Sequence, residues 1–352
     1  MQKSRFMNIA LAAFLAAMLA TGCVPPAPAV SPAPEALTTP AITTTPQPTP
    51  TPVPEKAKLN IVALKGPTGM GMVQLMQAAE QGQTAVDYNM TLAATPDEIS
   101  GKLVTGEVDI AAAPINLAGA LYNKTEGKVK IIAVNTLGVL YVLENGNSVQ
   151  SISDLANAKL YATGQGATPE FILNYLLEKN DVLGQVETEY MAEHAELAAL
   201  LASGEADVKV AMLPEPNVTV SLMKNKDLRI ALNLTEEWNK VSGGTPLVQG
   251  CIVARAEVLE QKPEAVKKFL EEYAASTTFT NESMDEAAAL METYGILPSA
   301  AAAKAAIPNS NIVCITGDDM KASAKAMLQV LFDAEPKSVG GKLPDDAFYY
   351  VP

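Results

Sequence analysis

EISGKLVTGEVD, residues 98–109, and ELAALLASGEAD, residues 196–207, align without a gap at an offset of 98 and share Glu, Leu, Gly, Glu and Asp. The same offset carries Gly66 of LKGPTGMGMVQLM, residues 64–76, onto Gly164 of YATGQGATPEF, residues 161–171. Two separated landmarks in one register mark a unit that occurs twice. Both copies then run through an apolar segment into a proline loop, DIAAAPIN (109–116) and DVKVAMLPEPN (207–217). Each reads strand, glycine-rich turn, helix, strand, helix, strand, which predicts an α/β fold with largely parallel sheets.

Local chemistry agrees with the repeat. Thr95-Pro96-Asp97-Glu98 reads as a capping box ahead of Ile99, Leu103 and Val104. Thr168 is placed to cap a helix whose first residue is Pro169 and whose buried face is Phe171, Ile172, Tyr175 and Leu176. Two long apolar runs rich in β-branched residues, KIIAVNTLGVLYVLENG (130–146) and TPLVQGCIVARAEVL (245–259), predict strands that leave the first unit and return to it. Helices over 263–276, 285–295 and 320–334 follow. The folded part is too long for one simple core, so two lobes are expected. The first comprises residues 57–137 with 249–352, and the second residues 138–248.

Residues 1–22 combine Lys3 and Arg5 with the apolar run IALAAFLAAMLA, the layout of an export signal too short to span a bilayer. Leu19-Ala20-Thr21-Gly22-Cys23 resembles a bacterial lipoprotein lipobox, although Ala20 stands where that pattern has leucine, three residues before the cysteine. The resemblance implies cleavage before Cys23 and lipid on its sulfur; the alternative is an ordinary signal with a chance cysteine. Residues 23–56 then form a Pro/Thr-rich tether that cannot bury enough apolar surface to fold. In polyproline II form it would reach up to roughly 100 Å from the membrane. The net charge is −14, and after the signal only Arg229 and Arg255 remain as arginines. Nucleic acid is therefore excluded as a partner.

Taken together, the lipobox, tether, paired α/β units and returning strand resemble the substrate-binding lipoproteins of ABC importers, with their type II periplasmic-binding fold. LKGPTGMG (64–71), LLASGEADVKVAMLPEPNVT (200–219) and GCIVARAEVLEQKPEAVKKFLEEY (250–273) are similar to the nitrate/sulfonate/taurine and thiamine-precursor branch. The resemblance implies an extracytoplasmic, lipid-anchored monomer that holds a small molecule between two closing lobes and hands it to a membrane permease. No catalysis and no cofactor are expected.

The glycine stretch at 64–76 is not a phosphate loop, because Met72 rather than Lys-Ser/Thr follows Gly71, and its spacing is not GxGxxG. Ligands in open α/β sheets bind beyond the carboxyl ends of the strands, which nominates four loops. Lys65, Gly66, Pro67, Thr68, Gly69 and Met70 are one wall; Gly164, Gln165, Gly166, Ala167 and Thr168 are the wall opposite. The proline loops add Pro114, Asn116, Glu215 and Asn217, and Tyr141 and Trp238 are aromatic candidates. Lys65 and Glu215 are the loops' only charges, which suits a ligand polar at both ends. His194 is expected on an outer helix surface; as the lone histidine it makes a metal site or a Ser-His-Asp triad unsupported. Cys251 and Cys314 form either a disulfide or two buried thiols. Competing classes are an enzyme on the same fold, of deaminase, dehydratase or pyrimidine-forming type, and a sensor or adhesin that presents its ligand.

Overall fold

The structure, a computed structural model, describes residues 56–204 and 207–351. The export signal, Cys23 and most of the tether lie outside the described residues. The first unit runs β1 (Lys58–Leu64), α1 (Pro67–Met70), α2 (Val73–Glu80), β2 (Asp87–Ala93), α3 (Pro96–Thr105), β3 (Ile110–Pro114), α4 (Ile115–Lys124) and β4 (Val129–Thr136). The second runs β5 (Leu140–Asn145), β6 (Lys159–Thr163), α5 (Thr168–Lys179), β7 (Glu187–Met191), α6 (His194–Ser203), β8 (Val210–Pro214), α7 (Asn217–Lys224), β9 (Leu228–Asn233) and α8 (Leu234–Val241). The chain returns through β10 (Gly250–Arg255), α9 (Ala256–Gln261), α10 (Pro263–Glu282), α11 (Met284–Thr293), α12 (Ala300–Ala306), β11 (Ile312–Ile315) and α13 (Gly317–Ala334).

Two mixed sheets result, in the orders β11-β4-β10-β3-β1-β2 and β7-β6-β8-β5-β9. Their construction is the same. A central strand pairs in parallel with two others, β1 with β2 and β3, or β6 with β7 and β8. The third of these then takes an antiparallel neighbour that has crossed from the other unit, β10 beside β3 and β5 beside β8. The chain thus forms the two-lobe fold expected from the repeat. The repeated glycines do the same work in both copies: Gly106 (φ 77°) closes α3 and Gly204 (φ 74°) closes α6 in the left-handed conformation that a Cβ disfavours.

Two caps differ in detail from expectation. Thr95 accepts the Glu98 N–H as foreseen, but the Glu98 carboxylate turns back to the Ala94 N–H at 3.1 Å, one residue earlier than a capping box requires. The cap of α5 is Ala167, and Thr168 is already helical, so its hydroxyl is free for another partner.

Apolar packing joins the lobes on one side. A single cluster includes Val62, Ala111 and Val134 of the first sheet and Val142, Leu160 and Met212 of the second, together with Phe171 and Ile172 of α5 and Met327 and Leu328 of α13. The remaining faces are covered separately, by α2 and α10 on the first sheet and by α6 and α7 on the second. Trp238 belongs to the shared cluster, fully buried, with its ring 4.7 Å from that of Tyr175 and its Nε1–H donated to the Thr245 carbonyl at 2.7 Å. It presents no face to a ligand; packing, not stacking, explains it.

The disulfide alternative is ruled out. Cys251 and Cys314 are both free thiols. Their strands are separated by β4, roughly 9.5 Å across two strand spacings, beyond the reach of a cystine. The two also pack into different apolar clusters. Burial pushes both thiols up, that of Cys314 to about 11. Reducing agent should therefore leave the melting temperature unchanged, and Cys251 should alkylate only in denaturant, with half-buried Cys314 reacting slowly in the native state; a drop in melting temperature on reduction would contradict this arrangement.

Candidate functional site

Four loops follow the carboxyl ends of β1, β3, β6 and β8. In the first, Gly66 lies at φ 91°, Pro67 opens α1, and the Gly69 and Met70 N–H groups bond back to the Gly66 carbonyl. Lys65 stands exposed at the rim. Thr68 is buried: its hydroxyl donates to the Leu64 carbonyl, and its own carbonyl accepts the Asn135 side chain at 2.9 Å. Gly69 and Met70 do not face a cleft. A Cβ on Gly69 would sit 2.7 Å from the Leu64 carbonyl oxygen, and Met70 is packed among Ala287, Met291 and Ile307.

The second wall has the related geometry. Gly164 (φ 79°) packs against the Pro169 ring, so close that a Cβ would stand 2.8 Å from it. Gln165 and Gly166 are exposed, and the Gly166 N–H is held by the Glu170 carboxylate at 2.6 Å. Thr163, at the end of β6, meets Nδ1 of His194 at 2.5 Å. His194 is thus partly buried beside the glycine turn, not on an outer surface, and burial holds its imidazole below the usual value against the pull of Glu193.

These walls touch. The Thr168 hydroxyl donates to Asn116 Oδ1 at 3.0 Å, joining the start of α5 to the start of α4 across the two lobes. A second contact lies around Asn309, in the short turn after α12. Its carbonyl accepts the Tyr141 hydroxyl at 3.0 Å, and its side chain stands close enough to the carboxyl of Glu215 to favour the charged form. Asn309 follows Ile307, which packs with α1, α2 and α11, whereas Tyr141 and Glu215 extend from the second sheet. Glu215 is 1% exposed and also accepts from the Thr219 N–H and hydroxyl at 3.1 and 3.0 Å. Burial outweighs these bonds and pushes its carboxyl up to about 6. The Tyr141 hydroxyl is raised to about 12 by burial and by the charges of Glu215 and Glu236.

Sequence reasoning named Asn116, Tyr141, Thr168 and Glu215, which the structure brings together in two clusters; Pro114 and Asn217 flank them at the helix starts. It missed Asn135, Thr136, Gln249 and Asn309. A signal existed: Asn135-Thr136 ends an apolar strand and Gln249 begins one, the strand ends where a cleft forms. A groove of about 940 Å³ lies beside the second wall, between α5 and the end of α13, where Gly166 and Glu170 meet Asp333, Glu335 and Lys337. Chemically, the described residues offer hydroxyl and amide groups, one hydroxyl–imidazole pair and one isolated carboxyl. Among the described residues Glu193 is the charge that acts on that imidazole, and no carboxylate is hydrogen-bonded to it.

The fold is similar to that of an ABC transporter protein from Parabacteroides distasonis, at 23% identity over 84% of this chain and 99% of that one, with a TM-score of 0.72. It also resembles the periplasmic aliphatic sulphonate binding protein SsuA from Escherichia coli, at 14% identity over 85% and 93% of the chains and a TM-score of 0.68. The alkanesulfonate-binding protein SsuA from Xanthomonas axonopodis pv. citri, bound to MOPS, gives 14% identity, 83% and 96% coverage and a TM-score of 0.60. At these identities the likeness is one of fold, the periplasmic-binding fold of ABC importer components. No curated protein matches the sequence. A family model described as menaquinone biosynthesis matches residues 72–305, and the chain belongs to that family.

Proposed function

We propose that the protein is an extracytoplasmic solute-binding lipoprotein of an ABC importer, which captures a small polar metabolite between its lobes and delivers it to a membrane permease. The observation that carries this reading is the Thr168–Asn116 hydrogen bond, made between the two repeated units at the helix starts where α/β sheets bind ligands. A ligand seated there would bridge the same groups and shift the lobes toward the closed state. The named relatives of the fold that bind solutes support it, as do the export signal and tether. A melting-temperature screen with mass spectrometry of co-purifying small molecules tests it: one compound should stabilise the protein and be recovered unchanged.

A second reading, an enzyme, is favoured by the family's biosynthetic description and by the raised carboxyl of Glu215, which is suited to general acid–base work near neutral pH. Against it, that carboxyl is buried and engaged by Thr219 and Asn309. Recovery of an altered compound from the same screen would favour the enzyme.

Closure should depend on pH. A carboxyl raised from 4.5 to about 6 in the closed form binds its proton more tightly there than in an open form where water reaches it. The closed form is therefore favoured fully below about pH 4.5, and that preference is lost as pH rises through about 6; the difference amounts to about 2 kcal/mol. Interlobe distances measured between spin labels should lengthen over that range, and Glu215→Gln should flatten the profile. His194 titrates nearby, but it contacts only its own lobe through Thr163, so the profile of Glu215→Gln separates the two.

The cross-lobe bonds can be weighed separately. Thr168→Val keeps the side chain's size, removes a bond of about 1 kcal/mol, and should lower the closed-to-open ratio roughly fivefold. Asn309→Ala removes the Glu215 contact and should lower the ratio further; an unchanged distance distribution in both variants would contradict the closure scheme.

A further inference from the structure

Gln249 stands at the head of the returning strand β10. Its N–H donates to the Thr136 carbonyl at 3.0 Å, and its carbonyl accepts the Ile115 N–H at 3.0 Å, one residue before Asn116. It therefore joins the ends of β3 and β4 at the cleft edge of the first sheet. Its side-chain nitrogen is buried and has no hydrogen-bond partner among the described residues. A buried amide donor left unpaired is destabilising, and such groups call for an explanation.

The charges around it narrow what could pair with it. Helix starts are the usual seats for an oxyanion, and at three of those here one N–H is already given away. The Gly166 N–H before α5 is given to Glu170, the Thr219 N–H of α7 to Glu215, and the Ile115 N–H of α4 to the Gln249 carbonyl. Both arginines lie far off: Arg229 pairs with Glu144, and Arg255 with Asp109 and Glu257. Arg255 ends β10, five residues and roughly 17 Å from Gly250. Lys65, at the exposed rim, is the only cation in the four loops. An oxyanion buried at Gln249 would have neither of these arginines to neutralise it.

We propose that Gln249 is a specificity residue of the cleft and that the ligand is an uncharged molecule with an amide-like edge, a donor and an acceptor side by side. The inference rests on the receptor reading above. A primary amide carries both functions at fixed spacing and pairs with such an edge through two parallel hydrogen bonds. Asn116 and Thr168 add neutral partners in the same cleft.

The test is thermal stabilisation of the full chain by two probe sets, uracil, hypoxanthine and nicotinamide against taurine, methanesulfonate and nitrate. At least one amide-edged probe should raise the melting temperature, the anions should not, and Gln249→Leu and Gln249→Glu should each weaken that probe at least tenfold. Because Gln249→Leu removes an unpaired buried donor, its ligand-free melting temperature should rise by roughly 2 °C or more. Stabilisation by an anion, silence of the whole amide-edged set, undiminished affinity in both variants, or a lower ligand-free melting temperature for Gln249→Leu would each overturn the proposal. A sulfonate hit would overturn it while leaving the receptor reading intact; conversion of a probe to product would overturn the receptor reading itself.

Discussion

Three residues, Leu137–Val139, carry the chain from one sheet into the other, and the rest of the molecule depends on how they are held. The Leu137 N–H donates to the Asn311 carbonyl, the Asn311 side chain donates to the Gly138 carbonyl, and the Val139 carbonyl accepts from the N–H of Glu215. Thr235 of α8 and Leu247 of the returning segment pack against the same point: a Cβ on Gly138 would fall 2.0 Å from the Thr235 hydroxyl oxygen and 2.8 Å from Leu247. Both crossings are thus bound into one joint.

On one side of that joint the lobes share an apolar cluster, and on the cleft side they meet through polar groups. The two kinds of contact respond differently to opening. Apolar surface shared by α5 and α13 resists exposure to water in proportion to its area, whereas single hydrogen bonds can be exchanged for water or ligand at small net cost. The polar side is therefore the less costly one to separate. Asn309 is central to it, since its carbonyl accepts the Tyr141 hydroxyl of the opposing lobe and its side chain stands beside the Glu215 carboxyl.

The polar groups of the cleft are mostly spoken for by the protein itself. Glu170 and Glu215 each hold one N–H at helix starts that in other settings hold anions, and the Asn135 side chain donates to the Thr68 carbonyl and accepts from the Thr136 hydroxyl. Against that background the unpaired amide nitrogen of Gln249 stands out chemically. Likeness of fold carries the architecture across; the charge inventory of the site does not follow it.

Much of the fold was legible in the residues. The offset of 98 between two glycine turns and two helix ends, the proline loops, and the two β-branched runs 130–146 and 245–259 led to two lobes and two crossings, because strand and helix periodicity and glycine placement are local properties. Phe171, Ile172 and Leu176 were legible for the same reason. The roles of particular polar residues were not. Thr168 is as good a cap as a cross-cleft donor, Trp238 as good a ligand platform as a core residue, and Cys251 and Cys314 as good a cystine as two thiols, until neighbours distant in sequence are known. Composition and pattern alone determined which segments become strands, turns and helices; only the tertiary structure decided which polar atoms meet across the lobes, since hydrogen-bond partners such as Thr168 and Asn116 are brought together by the crossings and by nothing local to either.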